Sequence, residues 1–218
     1  MKQFFFLLGI GLAMANAAQA QVGLRLGGSA SKLHTTDDGI MHNSSSAKLG
    51  YQVGLTYQIP LTKWLALVPE VQYSQEQMTL AQVNYAIADA GFSSDSRLSL
   101  HYLNVPVLVR ASLGPVYVEA GPQVSMLLGG RQVGTVTTFS GWTGTSMSYD
   151  LDESLTDQYR RFDVGPCVGV GVMLPAGLGL SVRAYRGLVT LNHKQGTYEG
   201  GYQRQSLQAS LTYQLPTH

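Results

Sequence analysis

The sequence predicts an all-β fold, a closed antiparallel transmembrane β-barrel of about eight strands with short periplasmic turns and long extracellular loops. Three observations predict it. Apolar residues recur at every second position in about eight segments, each near or above the roughly 9–11 residues a tilted strand needs to cross a bilayer. The connections between these segments alternate between short and long. Only 12% of the residues are charged, about half the roughly 25% of a soluble domain, yet nothing after the N-terminal region is long and apolar enough for a spanning helix.

Residues 1–20, "MKQFFFLLGIGLAMANAAQA", carry one charge at Lys2, an apolar run from Phe4 to Ala15 and a small-x-small site at Ala18-Gln19-Ala20. That is the three-part layout of a cleaved secretory signal peptide, leaving 21–218 as one barrel domain.

The first alternating segment, 22–33, sets Val22, Leu24 and Leu26 against Arg25, Ser29 and Ser31. In 48–59, Leu49, Tyr51, Val53, Leu55, Tyr57 and Ile59 oppose glycine, glutamine and threonine. The third, 64–75, sets Leu65, Leu67, Val71 and Tyr73 against Glu70, Gln72 and Ser74. The fourth, 98–110, sets Leu103, Val105, Val107 and Val109 against Tyr102, Asn104 and Arg110. In 114–128, Val116, Val118, Ala120, Val124 and Met126 oppose Tyr117, Glu119, Gln123 and Ser125. The sixth, 162–174, is a valine–glycine alternation with Asp163 and Cys167 on the glycine side. In 178–188, Leu178, Leu180, Val182 and Ala184 oppose Ser181, Arg183 and Tyr185. The last, 204–215, sets Leu207, Ala209, Leu211, Tyr213 and Leu215 against serine, glutamine and threonine.

Tight turns fall at 60–63, 111–115 and 175–177, and long polar stretches at 34–46, 78–97, 128–161 and 192–203. An even strand count returns both ends to the periplasmic side. The face opposite the valines holds Gly, Ser, Thr and Gln with few charges, which suits a narrow barrel interior better than a water-facing surface. The apolar face therefore meets lipid, and Glu119 points inward because hydrocarbon would be worse for it.

In "YLNVPVLVR", "GPVYVEAGPQVSMLL", "LVPEVQYSQ", "DVGPCVGVGV" and "QSLQASLTYQL" the chain resembles the bacterial outer-membrane protein β-barrel domain family. Its members are often labelled porin family and share the eight-stranded architecture of OmpA- and OmpX-like proteins. The resemblance implies an outer-membrane location, contact with outer-membrane lipid and lipopolysaccharide, dependence on the barrel-insertion machinery, and a monomer. Such chains usually finish on an aromatic residue; here the last strand ends on Leu215, with Pro216, Thr217 and His218 beyond it.

Inward parity selects Arg25, Glu70, Arg110, Glu119, Asp163 and Arg183. Isolated ions in the lumen would be costly, so Arg25 and Arg183 are expected to pair with Glu70 and Glu119 as a plug across the bore, serving as a gate or as internal scaffolding. Tyr51, Tyr57, Tyr73 and Tyr213 share lipid parity towards strand ends, as an aromatic girdle requires. Asp150, Asp152, Glu153 and Asp157 gather in a loop without the EF-hand spacing or its glycine, so a solvated loop is expected. Leu80, Val83, Ile87 and Ala90 have the spacing of a short loop helix. Ser99 and His101 share lipid parity with Glu76 near them, in the reverse of the His-x-Ser order of barrels that act on lipid A. His34, His42 and His193 lie in separate loops, and Cys167 is alone, so no metal set or disulfide is expected. No phosphate-binding glycine motif occurs and no cofactor is expected. Without Lys2 the charges balance, which gives no electrostatic case for nucleic acid. The expected role is non-enzymatic, structural or loop-mediated binding and adhesion. A narrow solute channel and a lipid A-modifying enzyme are the alternatives.

Overall fold

A computed structural model describes residues 21–35, 41–87, 90–154, 159–191 and 202–215. The expected signal peptide lies outside them. Among the described residues nine strands form: β1 (Gln21–Thr35), β2 (Met41–Pro60), β3 (Leu65–Ile87), β4 (Ala90–Leu113), β5 (Val116–Ser140), β6 (Thr145–Ser154), β7 (Phe162–Met173), β8 (Leu178–Arg186) and β9 (Tyr202–Gln214).

All pairings are antiparallel. Each strand of the ring β1-β2-β3-β4-β5-β7-β8-β9 pairs with the next, and β9 closes on β1. This is a closed eight-stranded barrel. The ninth strand, β6, stands outside the ring: the lower part of β5 pairs with β7, and its upper part, from Arg131 to Ser140, pairs with β6. Gln21 lies opposite Gln58 and Gly23 opposite Gln214, so both described ends sit beside the short turns. Two of those turns use left-handed backbone, at Gly114 (φ 61°) and at Ala176–Gly177 (φ 64° and 76°). Ala176 accepts a conformation that costs a non-glycine residue about 1–2 kcal/mol.

In the lower barrel the valine face is outside. Leu26 is 61% exposed and its neighbour Arg25 1%, a pattern repeated by Leu24, Val53, Leu55, Val170 and Leu211 around the ring. Val22 to Ala30 rise about 3.3 Å per residue, and with the tilt of barrel strands they climb roughly 20–25 Å, the height of a barrel's apolar band.

Higher up, the alternation inverts. On β3 and β4 the inward residues become Met78, Leu80, Leu98 and Leu100, all buried, while Gln77, Thr79 and Ser99 on the same strands face outward. They join Leu33, Tyr102, Leu127, Tyr159, Leu191 and Tyr202 in an apolar cluster inside the upper barrel. The fold is inside-out where lipid surrounds it and conventional where water does.

The strands therefore run past the bilayer. β3, β4 and β5 have 23, 24 and 25 residues, so most of 78–97 and much of 128–161, expected as loops, is strand. The helical spacing at 79–92 is not used. Residues 79–84 are paired on one side with β2 and on the other with β4, and these two ladders supply the hydrogen bonds a helix would have made internally.

Candidate functional site

Two polar layers fill the lumen. In the lower one, Arg183 donates from Nη1 and Nη2 to the two oxygens of Glu70, each at 2.7 Å, and from Nε to Glu119 at 2.5 Å. Glu119 also accepts from Arg110 Nε (3.1 Å) and Nη2 (2.9 Å), and Arg25 Nη1 stands 3.5 Å from Glu70. Gln58 then accepts from Arg110 Nη1 (3.0 Å) and from Gln214 (2.8 Å), drawing in β2 and β9. Glycine lets distant strands meet. Gly169 is the register partner of both Glu119 and Arg183, and a methyl there would lie 2.7 Å from Arg183 Cγ.

In the upper layer Arg204 is the hub. Its guanidinium is sandwiched between the rings of Tyr102 (4.1 Å) and Tyr185 (4.5 Å), within range of cation–π attraction. It lies 3.3 Å from Glu76 and 3.6 Å from Asp163, and donates to Ser125 at 2.7 Å. Tyr185 donates to Asp163 at 2.9 Å. The buried ions among the described residues are four arginines (25, 110, 183, 204) and four carboxylates (70, 76, 119, 163), so the lumen is neutral.

Inward parity on β9 and β3 carries Arg204 and Glu76 as well, but they stand at the margins of the alternating segments, where parity selects weakly. Glu76 therefore does not join Ser99 and His101. It is buried against Arg204, whereas Ser99 and His101 face outward. His101 Nδ1 is 2.7 Å from the Tyr73 hydroxyl, and Ser99 accepts from Gln75 at 3.2 Å. Among the described residues no carboxylate reaches either.

All four selected tyrosines face outward. Tyr57 and Tyr213 lie near the short turns, beside Val22 and Leu24 of β1. Tyr51 and Tyr73 lie higher, with ring centroids 6.3 Å apart. Trp64, in the first short turn, is exposed at the lower end too.

Above the barrel, the β5–β6 hairpin exposes Phe139 and Met147 near its tip, Trp142 (87% exposed) at it, and Tyr149. Among the described residues β6 pairs on one edge only. The acidic residues of this region do not converge: Asp150 and Asp152 share one strand face and Glu153 takes the other, while Asp157 lies outside the described residues. Asp152 receives two bonds from Arg131, 2.8 and 2.6 Å, and these hold its carboxyl below the usual carboxylate range. His34 is exposed on upper β1, the side chain of His42 is not described, and His193 lies outside the described residues.

The family model for the outer membrane protein beta-barrel domain matches residues 14–191. The chain belongs to this family. As an outer membrane protein beta-barrel domain it sits in the bacterial outer membrane. No curated protein sequence matches it. Among solved structures it is similar to Ail, the attachment invasion locus protein of Yersinia pestis, at 9% identity and a TM-score of 0.42, covering 90% of this chain and 99% of that one. It is similar to Neisserial surface protein A at 12% identity and TM-score 0.41, covering 90% and 99%. It is also similar to the outer membrane protein OprG from Pseudomonas aeruginosa at 9% identity and TM-score 0.40, covering 91% and 97%.

Proposed function

We propose that this outer-membrane barrel is non-enzymatic and non-conducting, and that it works by binding through its outer sheet. The observation that carries this is the contrast between its two ends of chemistry. The lumen is packed with mutually paired ions beneath an apolar cluster, whereas the hairpin above it presents Phe139, Trp142, Met147 and Tyr149 to solvent. Large exposed apolar side chains clustered on one protruding element mark interaction surfaces. Against a channel, the largest of the fully buried side chains (Arg25, Arg183, Arg204, Tyr102, Tyr117) point into the bore and fill it. Against a lipid-modifying enzyme, His101 meets Tyr73 and, among the described residues, no acid.

The test has two arms. In planar bilayers the refolded barrel is expected to carry no steady ion current, and a stable conductance would turn the reading to the narrow channel. Cells displaying the barrel are expected to adhere to protein-coated surfaces, and excision of 134–151 is expected to abolish adhesion while heat-modifiable gel migration persists. Adhesion unchanged by the excision would remove the hairpin from the function.

A further inference from the structure

We propose that the lipid-facing surface of β1, β9 and β8 is a binding site for one phosphorylated multi-acyl lipid, the lipid A portion of lipopolysaccharide. Three polar donors stand in one row on adjacent strands. Lys32 on β1 is in register with Gln205 on β9, which is in register with Arg186 on β8. At about 4.8 Å per strand, the ammonium and guanidinium stems start about 10 Å apart with an amide between them. All three face outward at the upper margin of the apolar band, and neither cation has a carboxylate partner among the described residues. Elsewhere this chain neutralises its buried arginines completely. Two cations that no described carboxylate pairs, standing at a lipid boundary, call for an anion from the membrane.

Beneath the row the surface is concave. Small residues, Ala30 on β1 and Ala184 on β8, flank Leu207 and leave a groove of about 520 Å³ that reaches Lys32 and Arg186 at its top. A second groove of about 520 Å³ continues below it on the same strands, between Leu26, Leu180 and Val182. Both are lined almost wholly by apolar surface. Head-group cations above and a descending apolar track below match an amphiphile with phosphate at the interface and acyl chains in the core. The row lies at the end of the barrel away from the short turns and both described termini, in the outer leaflet, where the phosphorylated lipid is lipid A. Charge-assisted bonds from Arg and Lys to phosphate supply the selectivity.

The test is binding of diphosphoryl lipid A to the detergent-folded barrel, read by native mass spectrometry, beside fully dephosphorylated lipid A and phosphatidylglycerol. Diphosphoryl lipid A is expected to bind at least about tenfold more tightly than either, the difference a charge-assisted contact provides. The double variant Lys32→Ser with Arg186→Ser is expected to lose that preference. The groove-filling double variant Ala30→Leu with Ala184→Leu is expected to weaken binding with both cations in place. Equal binding of phosphatidylglycerol overturns lipid A as the occupant. Equal binding of the dephosphorylated form, or lipid A binding that neither variant alters, overturns the site. The lipid series on the unaltered barrel decides this even where a variant fails to fold.

Discussion

Arg183 is the residue on which the lower lumen turns, because its three nitrogens donate to two carboxylates that come from β3 and β5. Removing one partner from a buried ion cluster is more costly than the cluster is stabilising, since the partners left behind stay desolvated. Arg183→Met should therefore lower barrel stability by about 3–5 kcal/mol, measured by urea titration of the barrel folded into lipid vesicles. A cost below about 1 kcal/mol would mean that Arg25 and Arg110 re-pair with the freed carboxylates. The charged lumen was legible from parity alone wherever the alternation was clean, which is why Arg25, Glu70, Glu119 and Arg183 could be singled out. Pairing within this set was expected; which carboxylate each arginine takes, and that Arg110 joins Glu119, was not. That depends on height in the barrel and on gaps such as Gly169, which appears in the sequence only as one glycine of a valine–glycine run.

At the scale of the strand, the informative feature is the change of phase on β3 and β4. Leu80 and Leu98 are apolar residues on the parity that lower down carries Glu70, Gln72 and Asn104. A reading that requires one constant apolar face ends the strand there and assigns the remainder to loop, which is how 78–97 came to be expected as one. The physical event is a change of solvent along a continuous strand. The outer hairpin beyond it is held less firmly, and one of its ties is pH-dependent. Asp152 lies above the apolar band, and Arg131 depresses its carboxyl. A depressed carboxylate contributes stability that is fully present above its unfolded-state pKa and is lost as pH falls through the lower, folded-state value. The protection factors of the 145–154 amides, with intrinsic exchange at each pH divided out, should therefore be flat above the ordinary carboxylate range and fall under more acidic conditions. Asp152→Asn should remove that dependence. The pair is exposed, so the amplitude should shrink in high salt.

For the whole molecule, closure and phase inversion together fix where the bilayer lies. Closing β9 on β1 leaves the ring without a free edge, so every barrel strand can satisfy its backbone in hydrocarbon. The outward face then sets the depth. Leu26 shares its level with Val53 on β2 and Leu211 on β9, midway between the short turns and the Lys32 row. Gln77 on β3 faces outward beside Met78, where the inward pattern changes phase. A charge on the lipid face of a barrel costs about 2–4 kcal/mol at the midplane and about 0–1 kcal/mol near the interface. Leu26→Arg should therefore destabilise the vesicle-folded barrel by about 2–4 kcal/mol, whereas Gln77→Arg should leave it within about 1 kcal/mol of the parent. Neither residue touches the lumen, so the difference between the two variants reports depth alone. Equal costs would place the bilayer boundary above β3 position 77 and assign Met78, Leu80, Leu98 and Leu100 to the membrane-embedded barrel.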